Sequence, residues 1–325
     1  NREMVRAVPS PWYGCRSTRS LRIWKNNKKE AVKKERGFLP VEIPHDWQIY
    51  DASFFYEDCS GWYRKKVICK KEKNLRYLLR FEGIYMDSEL YVNSRKVLEW
   101  KYGYSTFEAD ITDFLENGNN EIMVGVHVKH PNSRWYAGAG IYRNVWLKTV
   151  HTEHLVSDGI YVSTEEQKDG YQVLVYVETS QAAGTEVQCN LEGIEKKLPI
   201  RRDGDRAEFS FFLKNPKLWE PETPNLYMIT VRLYKKGKLL EEEHVNFGCR
   251  TIETDPQQGF LLNHKKRKLK GVCLHHNLGA LGSAVKKDAI KRQLTLMKEM
   301  GADAIRTAHN MPAVELMELA DEMGF

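Results

Sequence analysis

The sequence predicts a mainly β fold in three parts: two consecutive β-sandwiches, followed by the first two β/α units of a parallel barrel. Two strand-rich regions and one change of period support this prediction. Residues 61–147 and 159–247 break into short β-branched and aromatic runs between turn residues, whereas apolar positions recur at helical spacing from Lys286 onward. A chain of 325 residues is also longer than a single core usually sustains.

The first sandwich is predicted over residues 1–150. The run Glu121–Val128 alternates apolar and polar side chains, and Tyr77–Glu82 and Ser88–Val92 have the same strand-like composition. Asn117–Asn120 supplies turn residues where the chain re-enters a strand. Several short runs of this kind are typical of antiparallel sheets that bury one face.

The second sandwich is predicted over residues 151–254. About seven short strands in roughly 100 residues is the count of an immunoglobulin-like domain. The clearest of these strands are Gly159–Val162, Tyr171–Val177, Ala207–Phe212 and Tyr227–Tyr234. Two glycine-containing turns, Arg202–Asp205 and Lys235–Lys238, are typical of hairpins and are predicted to join neighbouring strands.

The third part, residues 255–325, is predicted to contain strand, helix, strand and helix in that order. Ile290 and Leu294 belong to an apolar series at helical spacing, Ala302–Thr307 is the next strand, and Pro312 opens a second helix. Alternating strands and helices are the beginning of a parallel α/β fold. Because a (β/α)8 barrel closes only with eight strands, we expect the remaining strands to lie beyond the end of this sequence.

Composition gives little support for a nucleic-acid or membrane partner. The 50 basic and 44 acidic residues are mixed, and the basic runs Lys28–Arg36 and His264–Lys268 are predicted to be solvated hairpin edges. No stretch approaches the ~18 consecutive apolar residues of a membrane span, and no signal-peptide pattern opens the sequence. The six cysteines form no Cys-x-x-Cys pair. We therefore expect reduced thiols and a cytoplasmic location.

Other familiar sites fail on spacing. Gly138-x-Gly140 lacks the third glycine of a dinucleotide-binding loop, and His151–His154 does not match the His-Glu-x-x-His zinc motif. No Gly-x-Ser-x-Gly elbow is present. These patterns exclude the corresponding cofactor, metal and serine-hydrolase motifs.

Several longer segments do match a known family. They are Ile43–Trp47, Gly61–Arg64, Asn132–Trp146, Leu218–Tyr227, Phe247–Arg250, Gly259–Asn263, Lys270–His276 and Asp303–His309. In this order, the segments resemble glycoside hydrolase family 2 over nearly the whole chain after about residue 36. The resemblance implies a jelly-roll sugar-binding domain, an immunoglobulin-like domain and the start of a TIM barrel. It also implies that 259–263 and 270–276 belong to the first barrel strand.

The resemblance implies a retaining exo-β-glycosidase that acts on terminal β-galactosides by double displacement. β-Glucuronidase and β-mannosidase of the same family are alternatives, and a carbohydrate-binding or structural fragment without turnover is another. Retention requires two carboxyl groups about 5 to 5.5 Å apart. In the family both are glutamates on later barrel strands, so this chain alone is expected to be inactive. It is expected to need no cofactor. Whether the later barrel binds a divalent cation and whether the protein forms a homo-oligomer are left open.

Seven residues are predicted to contact the sugar. His275, Arg306, His309 and Asn310 follow the two barrel strands, and Asn132, Arg134 and Trp135 lie in a loop that resembles the family segment over the barrel mouth. Neutral imidazoles can both donate to and accept from hydroxyl groups, and an indole can pack against the apolar face of a sugar. Either histidine alone could be a structural residue at a strand end. Their placement after consecutive strands favours a site, because barrel sites gather there.

Overall fold

The computed structural model describes residues 5–7, 12–17, 38–50, 55–133, 135–200 and 204–325. Arg134, a predicted sugar-binding residue, lies outside the described residues, as does the basic run Lys28–Arg36. The remaining chain confirms the mainly β fold class, with two sandwiches ahead of two β/α units. None of the helices in the described parts of the chain has the length and the apolar composition of a membrane-spanning helix.

Ten described strands form the first sandwich. They are β1 (Val5–Ala7), β2 (Trp12–Ser17), β3 (Leu39–Val41), β4 (Cys59–Cys69), β5 (Leu75–Phe81), β6 (Ser88–Val92), β7 (Arg95–Trp100), β8 (Phe107–Asp110), β9 (Gly118–Val128) and β10 (Val145–His151). One sheet has the order β1-β10-β5-β8 and the other β3-β2-β4-β9-β6-β7. The pairs are antiparallel, so alternate residues of each strand face the space between the sheets.

Close packing explains why these residues form this core. Tyr63 of β4 and Phe81 of β5 are almost fully buried between the sheets, with Val124 and Val126 of β9. On β9, Gly125 lies against the Trp62 ring, where an added Cβ would be only 2.9 Å from the ring carbons. The valines supply the buried face and the glycine leaves room for an indole on the other face.

The second sandwich contains nine strands among the described residues. They are β11 (His154–Gln167), β12 (Gly170–Ser180), β13 (Glu186–Leu191), β14 (Ile194–Pro199), β15 (Arg206–Lys214), β16 (Trp219–Glu220), β17 (Thr223–Pro224), β18 (Tyr227–Lys235) and β19 (Lys238–Phe247). Sheets β11-β12-β15 and β14-β13-β18-β19 enclose a separate apolar core, and β16 pairs with β17.

One of the two predicted hairpins is confirmed and the other is wrong. Lys235 pairs with Lys238 across a turn in which Lys236 and Gly237 both have positive φ, as a two-residue hairpin requires. The strands that flank Arg202–Asp205 do not form a hairpin with each other. The strands on either side, β14 and β15, pair in different sheets, so the chain crosses between sheets there. Residues 201–203 themselves lie outside the described residues.

The third part begins with a small antiparallel sheet that the sequence analysis assigned differently. β20 (Ile252–Asp255), β21 (Gly259–Leu262) and β22 (Lys265–Lys266) pair in that order. The prediction that Gly259–Asn263 belongs to the first barrel strand is therefore wrong. The tight turn at Asn263 and His264, both with positive φ, folds β21 back against β22 before the barrel begins.

The two β/α units consist of β23 (Gly271–Leu274), α1 (Lys287–Glu299), β24 (Ala304–Thr307) and α2 (Val314–Met323). β23 and β24 pair in parallel. Gly301 and Gly324, with φ of +87° and +75°, follow the two helices, as expected for helix-ending glycines. Buried Ile290 and Leu294 of α1 join the core of the first sandwich, so the sandwich and the barrel units pack as one apolar cluster.

Candidate functional site

The parallel register of β23 and β24 brings the predicted barrel residues to one edge. Cys273 pairs with Arg306 and Leu274 pairs with Thr307, and both strands end at this level. His275 directly follows β23, while His309 lies two residues after β24. Their imidazole rings meet edge to face, with centroids 5.9 Å apart and an interplanar angle of 86°. The structure thus brings the two histidines together.

Arg306 fixes the tautomer of His309. An Nη2 atom of Arg306 lies 3.1 Å from His309 Nδ1. A guanidinium group only donates, so Nδ1 accepts this hydrogen bond and the imidazole proton is on Nε2. His309 can therefore donate to a ligand hydroxyl through Nε2. The pair combines a fixed positive charge with an oriented neutral donor.

Trp135 lies flat on His275, an arrangement we call the Trp135–His275 stack. The ring centroids are 4.0 Å apart and the planes differ by 13°. The indole Nε1 donates to Oδ1 of Asn277 at 3.0 Å, which fixes the rotation of the ring. Trp135 is nevertheless 47% exposed. An indole from the first sandwich is thus held at the ends of the barrel strands with much of its surface open to solvent.

A tyrosine that the sequence analysis missed lies beside Asn310. Tyr102, in the loop between β7 and β8, donates its hydroxyl to Asn310 Oδ1 at 2.8 Å. Tyr102 is 46% exposed and its ring packs edge to face on Tyr104. No local motif distinguishes this tyrosine from the core tyrosines of the sandwich. Only the tertiary contact across the barrel mouth identifies it.

Asn132 is placed less centrally than the other predicted residues. It is exposed, and its amide nitrogen lies against the sulfur of Met86 in the first sandwich. The structure assembles the other five described residues at the strand ends: His275, Arg306, His309, Asn310 and Trp135. A direct sugar contact by Asn132 stays a prediction.

His276, which follows His275, packs against the first sandwich. Its ring packs on Tyr104 with centroids 4.6 Å apart, and the residue is largely buried. Burial lowers the pKa of His276 to about 4, and the nearby charges of Arg143 and His275 act in the same direction. Within the described part of the chain, no three histidine, cysteine or acidic side chains are grouped as metal ligands would be.

A buried arginine holds the loop that carries His309 and Asn310. Arg143 is 2% exposed and donates to the carbonyl oxygens of Tyr104 at 3.1 Å and Glu82 at 3.3 Å, both in the sandwich. It also donates to Met311 O at 2.7 Å, in the loop before α2. One guanidinium therefore joins the sandwich to the second barrel loop. Its fork of five donors suits several carbonyl acceptors at once.

The glutamates of α2 are not arranged as a catalytic pair. Glu318 bonds to Lys287 and Glu322 is exposed, so both belong to a solvated helix face. Glu315 differs, since it is half-buried and accepts a hydrogen bond from Asn144 of the sandwich. It therefore belongs to the contact between the sandwich and α2.

Two sandwiches and the first two β/α units of a barrel, with imidazole, guanidinium and indole groups at the ends of its strands, define a modular β/α protein with accessory β domains. Three family models identify the family to which the chain belongs. The model of the glycosyl hydrolases family 2 sugar binding domain matches residues 5–151, the model named glycosyl hydrolases family 2 matches residues 144–250, and the model of the family's TIM barrel domain matches residues 254–325. The chain belongs to glycosyl hydrolases family 2.

Individual relatives agree on the family and differ in their named activity. The chain is 35% identical to beta-galactosidase BoGH2A of Bacteroides ovatus, over 88% of this chain and 37% of that protein. It is 31% identical to a putative beta-glucuronidase of Formosa agariphila, over 87% and 29%. A crystal structure of a family 2 member from Bacteroides cellulosilyticus superposes with a TM-score of 0.88, at 29% identity, over 99% of this chain and 47% of that one. The chain thus spans less than half the length of these relatives.

Proposed function

We propose that the protein to which this chain contributes is a retaining exo-β-glycosidase. The Trp135–His275 stack carries the proposal, because it presents an oriented indole beside polar groups at the ends of barrel strands. Relatives named as β-galactosidases and β-glucuronidases support the same class of reaction. The two glutamates of double displacement would come from later barrel strands, one as acid and base and the other as nucleophile.

Each residue of the site has a proposed task. His275 and His309 hydrogen-bond sugar hydroxyls, Asn310 adds a polar contact, and Arg306 orients the acidic groups of the completed site. Trp135 packs on the apolar face of the sugar. Asn132 and Arg134 are kept as sugar contacts of the loop over the barrel mouth. All of these tasks concern binding and orientation, which supply much of the rate enhancement when the reacting groups are fixed.

A terminal β-galactoside is the proposed substrate. The sequences His275–Gly279 and Arg306–Pro312 resemble the galactosidase branch more than the glucuronidase or mannosidase branches. Relatives named for glucuronidase activity make β-glucuronide the main alternative. Hydrolysis of nitrophenyl galactoside, glucuronide and mannoside by the full-length protein tests the choice. Faster turnover of the glucuronide would overturn it.

The 325-residue chain alone is expected to have no glycosidase activity, because the resemblance to the family implies that both glutamates belong to later barrel strands than β23 and β24. The expected result is a rate on nitrophenyl glycosides equal to the buffer blank. Turnover that persists through repeated purification would place catalytic carboxylates within this chain and contradict the assignment. The absence of a cofactor requirement and a cytoplasmic location stay predictions.

Trp135→Leu in the full-length protein is expected to raise KM for the preferred glycoside about 5- to 30-fold. The change removes the indole face, and an aromatic contact of this kind contributes roughly 1 to 2 kcal/mol. Tyr161→Leu is the matched control, because Tyr161 is an exposed aromatic on the second sandwich. Equal KM values for the two variants would exclude Trp135 from substrate binding.

A further inference from the structure

One carboxylate of the first sandwich is buried where the sandwich meets the barrel. Asp46 is 1% exposed. Its Oδ1 accepts hydrogen bonds from the backbone N–H groups of Gln48 and Ala139, each at 3.0 Å. Its Oδ2 accepts from the Tyr136 hydroxyl at 2.6 Å and from the N–H and hydroxyl of Ser283 at 2.9 and 3.1 Å. Five donors therefore converge on this carboxylate, which compensates for its removal from water.

Four hydrogen bonds close a ring that begins and ends at Asp46. They are Tyr136 Oη to Asp46 Oδ2, Trp135 Nε1 to Asn277 Oδ1, Leu278 N to Gly282 O, and Ser283 N to Asp46 Oδ2, at 2.6, 3.0, 2.6 and 2.9 Å. Peptide bonds connect the successive members, since 135 precedes 136, 277 precedes 278 and 282 precedes 283. The indole is therefore tied to the first barrel loop on one side and to Asp46 on the other.

Two glycines make room for the carboxylate. A Cβ on Gly138 would lie 2.5 Å from Asp46 Oδ2 and 1.9 Å from the Ser283 hydroxyl oxygen. A Cβ on Gly282 would lie 2.3 Å from the same Oδ2. Both glycines have positive φ, +76° and +60°, which residues with a Cβ rarely adopt. The backbone on both sides is thus shaped to approach Asp46 closely.

The hydroxyl of Tyr136 remains a donor in this arrangement. Burial raises the pKa of Tyr136 well above its usual value, and the negative charge of Asp46 raises it further. The phenol therefore stays protonated and donates to the carboxylate. Because Tyr136 directly follows Trp135, this bond acts on the backbone that carries the indole.

We propose that Asp46 is a positioning residue for the candidate site, which holds Trp135 stacked on His275 before a ligand arrives. The purpose of the stack, which is sugar binding, rests on the proposed function; the positioning of the stack by Asp46 does not. A carboxylate accepts all five hydrogen bonds, whereas an amide offers one oxygen and turns N–H groups toward N–H or O–H donors. A stack held in advance lowers the ordering cost of binding.

Asp46→Asn tests the proposal in the 325-residue chain by NMR with ¹³C-labelled histidine. The His275 signal is identified by its loss in His275→Gln, and its unstacked position is defined by Trp135→Leu. An indole face 4.0 Å away shifts imidazole ring protons upfield. In Asp46→Asn, the signal is expected to move at least halfway toward its Trp135→Leu position.

Asp110→Asn is the matched control. Asp110 pairs with Arg76 and accepts the Thr112 N–H within the first sandwich, outside the hydrogen-bonded ring, so the His275 signal should not move. An unchanged His275 signal in folded Asp46→Asn would overturn the proposal, as would an equal movement in the control.

Tyr136→Phe covers the case in which Asp46→Asn does not fold. It removes one bond of the ring and leaves the other four donors on Asp46, so a smaller movement of the His275 signal in the same direction is expected. No movement in this variant would overturn the proposal. If the signal moves as expected but the full-length protein hydrolyses none of the nitrophenyl glycosides, the proposed function fails and the role of Asp46 stands.

Discussion

Arg143→Met is expected to release the loop between β24 and α2 from the first sandwich. The guanidinium bonds to three carbonyl oxygens, those of Glu82 and Tyr104 in the sandwich and of Met311 in the loop. Methionine fills similar space but donates nothing, so three carbonyls lose their partner at a site where Arg143 is 2% exposed. Each unsatisfied buried group costs about 1 to 3 kcal/mol.

Part of that cost is offset, because the variant no longer buries a charge. A net loss of about 3 to 4 kcal/mol is therefore expected, which corresponds to a roughly 100- to 1000-fold larger equilibrium constant for local opening at 1.4 kcal/mol per factor of ten. Hydrogen exchange followed by mass spectrometry measures this opening on peptides that cover residues 308–313. Exchange of these peptides in Arg143→Lys should be faster than in the wild type and slower than in Arg143→Met, since an ammonium group lacks the fork that spans three acceptors.

Arg250→Met is the matched control for the loss of an arginine. Arg250 lies over the Trp219 ring at 4.6 Å in the second sandwich, a contact that contributes about 0.5 to 1 kcal/mol. Exchange of residues 308–313 should be unchanged in this control. Unchanged exchange in Arg143→Met would show that the three carbonyls find other donors and that Arg143 does not hold the loop.

The sequence was most informative where structure depends on near neighbours. Strand-like composition predicted Ser88–Val92 correctly and a glycine-containing turn predicted the hairpin at Lys235–Lys238, because a strand or a two-residue turn is determined largely by the residues within it. The positions of His275 and His309 also followed from the sequence. Parallel strands end at a common edge, so residues after consecutive strands must approach each other.

The sequence was least informative where a residue acts through partners distant in the chain. Asp46 contacts Ser283 across 237 positions and Tyr102 contacts Asn310 across 208. Asp46 lies in the matching segment Ile43–Trp47, but nothing in that segment indicates a partner in the barrel, and no local pattern separates Tyr102 from a core tyrosine. The predicted hairpin between β14 and β15 was wrong for the same reason. The sheet that each strand joins depends on its pairing with a distant strand, β13 for β14 and β12 for β15.

Glu241→Gln is expected to change how stability depends on pH. Glu241 is 7% exposed at the contact between the two sandwiches, and its Oε2 accepts the Leu155 N–H at 2.7 Å. Burial raises the pKa of Glu241 from 4.5 to about 7, although the Leu155 N–H and Lys148 lower it. Glu243 on β19 and Glu108 on β8 face the same group and raise it.

The sign follows from proton binding. The folded state holds the proton on Glu241 more tightly than the unfolded state, so this contribution to stability is complete below about pH 4.5 and is lost as pH rises to about 7. At about 1.4 kcal/mol per pKa unit, the wild-type protein loses up to about 3 kcal/mol from this residue. Glutamine stays neutral and can still accept from Leu155, so the variant should escape the loss.

Urea unfolding at several pH values between 5 and 8 measures the difference, which should favour Glu241→Gln increasingly as pH rises. Glu242→Gln on the same strand is the matched control. Its ion pair with Arg232 lowers the pKa of Glu242, so that contribution is lost only as pH falls below about 4.5. The free energy of unfolding of the control should therefore change with pH in the same way as that of the wild type from pH 5 to 8. If the free energy of unfolding of Glu241→Gln also follows the wild type over this range, Glu241 is ionised in the folded protein at pH 5. Lys148 would then compensate the charge of Glu241 fully despite the burial.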